Sequence, residues 1–231
     1  MISVLLAAYC GEKFIAEQIA SILPQLRRDE LLVSDDSPED HTATRDIVLS
    51  FDDPRIRYMQ GPRQGVIKNV EFLLGQARGD ILVLCDQDDV WLPEKLKCAR
   101  NMLPQRYPAL LVHGAVITDE ALRETGQIQS VKPGFLRNLV KNGYTGCCMA
   151  FTRALLPHVL PFPEDIPMHD QWIGLCAEQL MRKNRGIVYP VAVPFILHRR
   201  HGEAQTGHGG TIGQKIAWRW NMLKALYGRH T

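Results

Sequence analysis

Apolar positions in the N-terminal half of the chain fall into short unbroken runs, and the stretches between them carry apolar residues at helical spacing. That alternation predicts strand, helix, strand, helix. Ile2 to Ala8 is the first run, and Ile15, Ile19, Ile22, Leu23 and Leu26 then mark a helix within Glu12 to Leu26, bent or stopped near Pro24. Leu31 to Ser34 is a second run, and the SPEDHT after Asp35 and Asp36 supplies turn and N-cap chemistry for a helix over Thr42 to Ser50. Ile56, Tyr58 and Gln60 alternate as a third strand does, and Val66, Val70, Leu73, Leu74 and Ala77 predict the next helix. A fourth run, Ile81 to Cys85, leads into Asp86, Asp88 and Asp89 and then Pro93, which can open a helix at its first position. Strands this apolar are covered on both faces, so the pattern implies an α/β fold with a Rossmann-like, mostly parallel sheet between helices.

Beyond Lys97 the order loosens. Leu110 to Ile117 predicts a strand, Thr118 to Pro133 shows no period, and Asn142 to Thr152 is a glycine-punctuated run entered through a tight turn. Pro157 to Pro167 reads as a loop, after which Ile173, Cys176, Ala177, Leu180 and Met181 predict a helix opening near Met168 to Trp172. Gly186 to Ile196 gives one or two short strands, followed by LHRRHGEAQTGHGGT, rich in Gly, His and Arg. No repeat or long linker interrupts the chain, so residues 1–210 read as one domain and 211–231 as a C-terminal amphipathic helix.

Composition narrows the function classes. A net charge of +2 with scattered basic residues carries no nucleic-acid footprint. Six cysteines without CxxC spacing, most of them in apolar runs, suit reduced core thiols and a cytoplasmic setting. The apolar N-terminus lacks a basic lead and meets Gly11, Glu12 and Lys13 at once, so it reads as a first strand rather than a signal peptide or a membrane span.

The chemistry gathers at the acids. Ligands of open α/β sheets bind beyond the carboxyl ends of the strands, which is where Asp35 and Asp36 follow one strand and Asp86, Asp88 and Asp89 follow another. Carboxylates packed this closely repel one another, and a hard divalent cation would relieve them and could hold a diphosphate. A solvated acidic loop capping the next helix is the competing reading. Asp170 likewise has two readings: a helix cap, or a general base at a loop-to-helix junction.

Taken in order, SVLLAAYCGEKFIAEQIASIL, VSDDS, GVIKNVEFLL, CDQDDVW, NGYTGCCMAF, HDQW and RRHGEAQTG resemble the inverting glycosyltransferases of family 2, with the GT-A fold. The resemblance spans nearly the whole chain. It is closest to bacterial rhamnosyl- and galactosyltransferases of surface-polysaccharide assembly, such as that of O-antigen. It implies Mn²⁺ or Mg²⁺ held by Asp88, with Asp86 on the metal's water shell or the ribose, Asp89 in support, and His201 close to the metal. Tyr9, Asp35, Asp36 and Glu12 would face the nucleotide, as would Lys68 and Asn69, while Arg199 and Arg200 flank the diphosphate and Asp170 is the catalytic base. The donor would be dTDP-rhamnose or a UDP-hexose, the acceptor a saccharide or a lipid-linked saccharide, with residues 1–103 serving the donor and 104–210 the acceptor. The family's usual Asn after the first aromatic is Cys10 here, and the chain is shorter than many relatives.

Two rivals remain open at this level. A nucleotidyltransferase would be expected to carry a Gly-rich basic loop after the first strand, where AAYCGEK has one glycine; an inactive GT-A-like binding protein would be expected to lose Asp88 or Asp170. At the C-terminus, Ile212, Ile216, Trp220, Leu223, Leu226 and Tyr227 fall on one helical arc, with Lys215, Arg219 and Lys224 at its margins or within it. Such an arc in 211–228 rests on a membrane surface at the inner face of the plasma membrane, packs on the domain, or joins a second copy in a homodimer.

Overall fold

The structure, a computed structural model, describes residues 1–201 and 211–228. The first half follows the pattern: β1 (Ile2–Ala8), α1 (Ile15–Ile22), β2 (Glu30–Asp35), α2 (Ala43–Ser50), β3 (Ile56–Gln60), α3 (Val66–Gln76) and β4 (Ile81–Asp86). These strands lie in the order β3-β2-β1-β4, all parallel. Burial on both faces explains why β1 is apolar throughout. Leu5 joins one core with Leu73, Leu82 and Trp172, while Val4 and Leu6 join the other with Ile15, Ile19 and Val83. Each such side chain contributes on the order of 1.5–3 kcal/mol on leaving water, before chain entropy is subtracted.

The second half holds β5 (Val90–Trp91), α4 (Lys95–Met102), β6 (Ala109–Thr118), β7 (Glu124–Gln129), α5 (Phe135–Val140), β8 (Met149–Thr152), α6 (Leu156–Val159), α7 (His169–Arg182), β9 (Ile187–Arg199) and α8 (Ile212–Gly228). Here the sheet becomes mixed. It continues β4-β8-β6-β9-β5, with β8 antiparallel to both its neighbours, β6 parallel to β9, and β7 paired to β6. The result is the expected single α/β domain with helices on both faces of a mostly parallel sheet.

Four local differences from the sequence reading have physical reasons. α4 starts after Pro93, because Glu94 is left-handed at φ 74 and Val90–Trp91 first pairs with Leu197 and Ile196 of β9. β7 is almost wholly exposed, so its pairing to β6 leaves no burial period to read. β9 runs unbroken through Pro190 and Pro194 because its register against β6 shifts between His113 and Gly114, where missing N–H donors are tolerated. α6 opens the stretch expected to be loop, with Pro157 in its first turn.

The predicted arc of α8 is divided. Leu226 is buried with Met222, Leu223 packs partly against the same core, and the Leu226 carbonyl accepts Gln179 Nε2 at 3.1 Å. Ile216, Trp220 and Tyr227 remain exposed. The Ile212 side chain, the GEAQTG of the closing motif and residues 229–231 lie outside the described residues.

Candidate active site

The carboxyl ends of β1 and β4, the end of β9 and the start of α7 enclose an open cavity of about 1160 Å³. Of the residues singled out from the sequence, Tyr9, Glu12, Asp36, Asn69, Asp86, Asp88, Asp170, Arg199 and His201 line it, whereas Asp35, Lys68, Asp89 and Arg200 do not. Asp35 is buried below, where it accepts Ser37 N–H at 3.0 Å and the Tyr58 hydroxyl at 3.1 Å, and so shapes the β2 turn. Lys68 pairs with Glu71 at 2.7 Å, and Arg200 is exposed with its backbone N–H on the Thr118 carbonyl.

The side of the cavity nearest β1 and β2 is built from loops tied to one another. Asp36 accepts the backbone N–H groups of Arg63 at 2.5 Å and Gly65 at 2.9 Å, which orders the loop before α3. Asn69 donates to the Ser34 carbonyl at 3.0 Å, and its buried Oδ1 has no protein partner. Gln87 exchanges two hydrogen bonds with the Tyr9 backbone, at 2.8 and 3.0 Å. That clasp needs Gly11, since a Cβ there would stand 2.2 Å from Gln87 Oε1. Cys10, where the family pattern has Asn, is left-handed at φ 46, a conformation that Asn adopts more readily. Its N–H donates to Ser37 Oγ at 2.7 Å, so a turn hydrogen bond survives the change. Glu12 accepts Thr44 Oγ1 at 3.2 Å and meets His41 Nε2 at 3.0 Å; the His41 bond holds its carboxyl below the usual range.

At the acidic turn, Asp88 Oδ2 and His201 Nε2 come within 2.7 Å although 113 positions separate them. Burial first, then repulsion from Asp89 and Asp88, pushes the Asp86 carboxyl up to about 7. The Asp88 carboxylate and His201 imidazole are oxygen and nitrogen donors of a kind that fits a divalent cation such as Mn²⁺ or Mg²⁺, with Asp86 lining the same cavity. Asp89 is fully buried; its Oδ1 meets His198 Nδ1 at 2.9 Å and accepts the Arg199 N–H at 3.2 Å. Cys147 Sγ stands 3.9 Å from the same Nδ1, and the ligand-type atoms of Asp89, Cys147 and His198 all fall within 4.8 Å of one another. Arg199 is itself buried and its guanidinium is engaged on every side. It donates to the Asp88 carbonyl at 2.9 Å, to the Glu120 carbonyl and to Glu17 at 2.5 Å, and it stacks on Phe14, whose ring also meets His201.

Asp170, also in the cavity lining, stands in the first turn of α7 but is not its cap; the capping position is Met168, which makes no side-chain cap bond. Asp170 Oδ1 accepts the Gln171 N–H at 2.6 Å and Asn142 Nδ2 at 2.9 Å. Burial raises its pKa, opposed by His169 and by these two hydrogen bonds. A carboxylate so placed suits proton abstraction.

Sequence reasoning missed Gln87, Phe14, Asn142 and His198. Only Asn142 carried a signal, as the polar residue opening NGYTG, and the others depend on partners brought together by the fold.

Comparison with known proteins bears on the family and the fold. The family described as Glycosyl transferase family 2 matches residues 3–160. The UDP-Glc:alpha-D-GlcNAc-diphosphoundecaprenol beta-1,3-glucosyltransferase WfgD of Escherichia coli is 28% identical over 167 residues, which cover 70% of this chain and 64% of that protein. The chain therefore spans less than two thirds of that relative. Among solved structures, S. aureus TarS 1-349 in complex with UDP-GlcNAc has a TM-score of 0.68 at 22% identity, covering 99% of this chain and 72% of the other. Glucosyl-3-phosphoglycerate synthase from Mycobacterium tuberculosis, in complex with Mn²⁺, UDP and glucosyl-3-phosphoglycerate, has a TM-score of 0.60 at 21% identity, covering 99% and 79%. At these identities the two structures speak for the fold.

Proposed function

Because the chain belongs to glycosyl transferase family 2, we propose that it transfers a sugar from a nucleoside diphosphate donor, dTDP-rhamnose or a UDP-hexose, to an acceptor hydroxyl with inversion at the anomeric carbon. The observation that carries this reading is that one cavity is lined by Asp86, by Asp88 and His201 in contact with each other, and by Asp170. Asp86, Asp88 and His201 would hold the Mn²⁺ or Mg²⁺. When bound, the cation supplies positive charge to the diphosphate as it leaves.

The rest is done by the chain itself. Exposed Tyr9 offers a ring to stack on the base, and buried Asn69 ties α3 to the end of β2 through its bond to the Ser34 carbonyl. Asp170 takes the proton of the acceptor hydroxyl as that oxygen attacks in line with the departing diphosphate. Asn142 and the Gln171 N–H fix one carboxylate oxygen and leave Oδ2 for the acceptor. In this reading residues 1–103 serve the donor and 104–210 the acceptor, and α8 follows them. The acceptor is a saccharide, free or carried on a lipid, in surface-polysaccharide assembly. The protein works in the cytoplasm, against the inner face of the plasma membrane through 211–228. No described helix is long and apolar enough to cross a membrane.

Titration of UDP, dTDP and GDP in the presence of Mn²⁺ tests the donor side. The parent is expected to bind at least one of them, and Asp88→Ala to lose about tenfold or more of that affinity while the metal-independent component stays unchanged. Equal, Mn²⁺-dependent affinity in parent and variant would remove Asp88 from the metal site.

A further inference from the structure

A departing nucleoside diphosphate gathers negative charge, and a site that releases it needs positive donors besides the cation. The basic residues at the close of β9 differ sharply in what they have to offer. The Arg199 guanidinium donates to Asp88, Glu120 and Glu17 and stacks on Phe14. Arg200 is exposed and outside the cavity lining, and His201 Nε2 is on Asp88. His198 is the exception. Its Nδ1 is held at 2.9 Å by fully buried Asp89, with Cys147 Sγ 3.9 Å from the same nitrogen. Its side chain is 24% exposed and lines the cavity together with Asp86 and Asp88. Nε2 has no partner among the described residues.

Resting on the reading of this cavity as a nucleoside-diphosphate-sugar site, we propose that His198 contacts the substrate: its Nε2–H donates to a diphosphate oxygen, and Asp89 is the positioning residue that fixes the ring. An imidazole with Nδ1 on a carboxylate has one orientation, and Nε2 is then aimed by the protein rather than by the ligand. Burial disfavours charge on this ring, but the bond to Asp89 and the charges of Asp89 and Asp86 outweigh it and lift its pKa to about 9, with Cys148 adding in the same sense. The ring thus carries the second proton that Nε2 needs in order to donate. A hydrogen bond from a charged donor to a phosphate oxygen is among the strong ones, and it grows stronger as the leaving group gains charge.

The test compares nucleosides with their diphosphates. Uridine, thymidine and guanosine and their 5′-diphosphates are titrated with Mn²⁺ into the parent, His198→Gln, His198→Ala and Asp89→Asn, each checked for a parental melting temperature. For whichever diphosphate binds the parent, both His198 variants are expected to lose about tenfold or more in affinity, with nucleoside affinity unchanged. Asp89→Asn is expected to show the same selective loss, smaller in size because the ring survives. Diphosphate affinity unchanged in His198→Gln would overturn the proposal, as would equal losses for nucleoside and diphosphate, the mark of a structural role. A parent that binds no nucleoside diphosphate would instead sink the reading of the cavity, and this proposal with it. Should His198→Ala not fold, His198→Gln decides, since its amide fills similar space without the charge.

Discussion

Asp170 is a carboxylate kept away from water, and its chemistry and its effect on stability follow from that one fact. Burial raises its folded pKa above the ordinary 3.8. Charge on Asp170 therefore costs stability at neutral pH, and the cost is relieved as pH falls through the folded pKa. Asp170→Asn removes the charge but keeps the shape and an acceptor for the Gln171 N–H. Its melting temperature at neutral pH is expected to equal or exceed that of the parent, while turnover falls by about 10²–10⁴ and donor affinity is unchanged. In the parent, kcat is expected to decline on the acid side with an inflection above pH 3.8. Lower stability with near-parental turnover would return Asp170 to a structural role. From the sequence alone its position next to a helix start left cap and base undecided. The structure places the cap position at Met168 and adds a hydrogen bond to Asp170 from Asn142, 28 positions away.

At the scale of elements, α7 carries that carboxylate and is buried along nearly its whole length, so its position is set by packing. Gly174 is the contact that matters most for the site. A Cβ there would lie 2.2 Å from the Tyr144 ring, and Tyr144 belongs to the loop that presents Asn142 to Asp170. Gly174→Ala is expected to cost about 1–3 kcal/mol through overpacking and to lower kcat, with donor affinity retained. Parental kcat in a variant of reduced melting temperature would show that loop and helix are not coupled in this way. The same elements show which parts of the fold could be read in advance. β1, β2 and β4 were legible because burial on both faces leaves an unbroken apolar run. β5 and β7 were not: the first is two residues long and the second exposed, and both exist because a neighbouring strand offers partners. The site divides along the same line. Asp86 and Asp88 stand where a legible strand ends, whereas the engagement of Arg199 and the opening of His198 are products of long-range contact.

The surface of the whole molecule is asymmetric in a way that bears on where it works. Leu136 and Val140 of α5 are exposed, and the Val140 carbonyl accepts the Arg219 guanidinium of α8, so they lie beside the helix that exposes Ile216, Trp220 and Tyr227. Neither 125–163 nor 211–228 contains an acidic residue, while Lys132, Arg137, Lys141, Lys215 and Lys224 are exposed on these segments. Exposed apolar and aromatic residues on segments whose own charged residues are all basic match an anionic bilayer better than a second copy, which would bring like charge against like. Two residues past Val140, Asn142 holds Asp170, so a bilayer on this face would meet the acceptor side of the cavity. On the proposal of a membrane contact, Ile216, Trp220, Tyr227, Leu136 and Val140 would make it, because they are exposed whereas Leu226 is packed inward. Co-sedimentation of the parent with vesicles of mixed neutral and anionic lipid is expected to be strong at low salt and to weaken with added salt. Ile216→Glu combined with Trp220→Glu is expected to reduce the bound fraction at least about tenfold, since it removes both aromatic and apolar insertion and reverses local charge. Turnover of a short water-soluble acceptor is expected to be unchanged in that variant, because neither residue lines the cavity. Parental vesicle binding by the double variant would remove the membrane from this face. Association of the parent into dimers that the same variant abolishes would assign the face to a second copy.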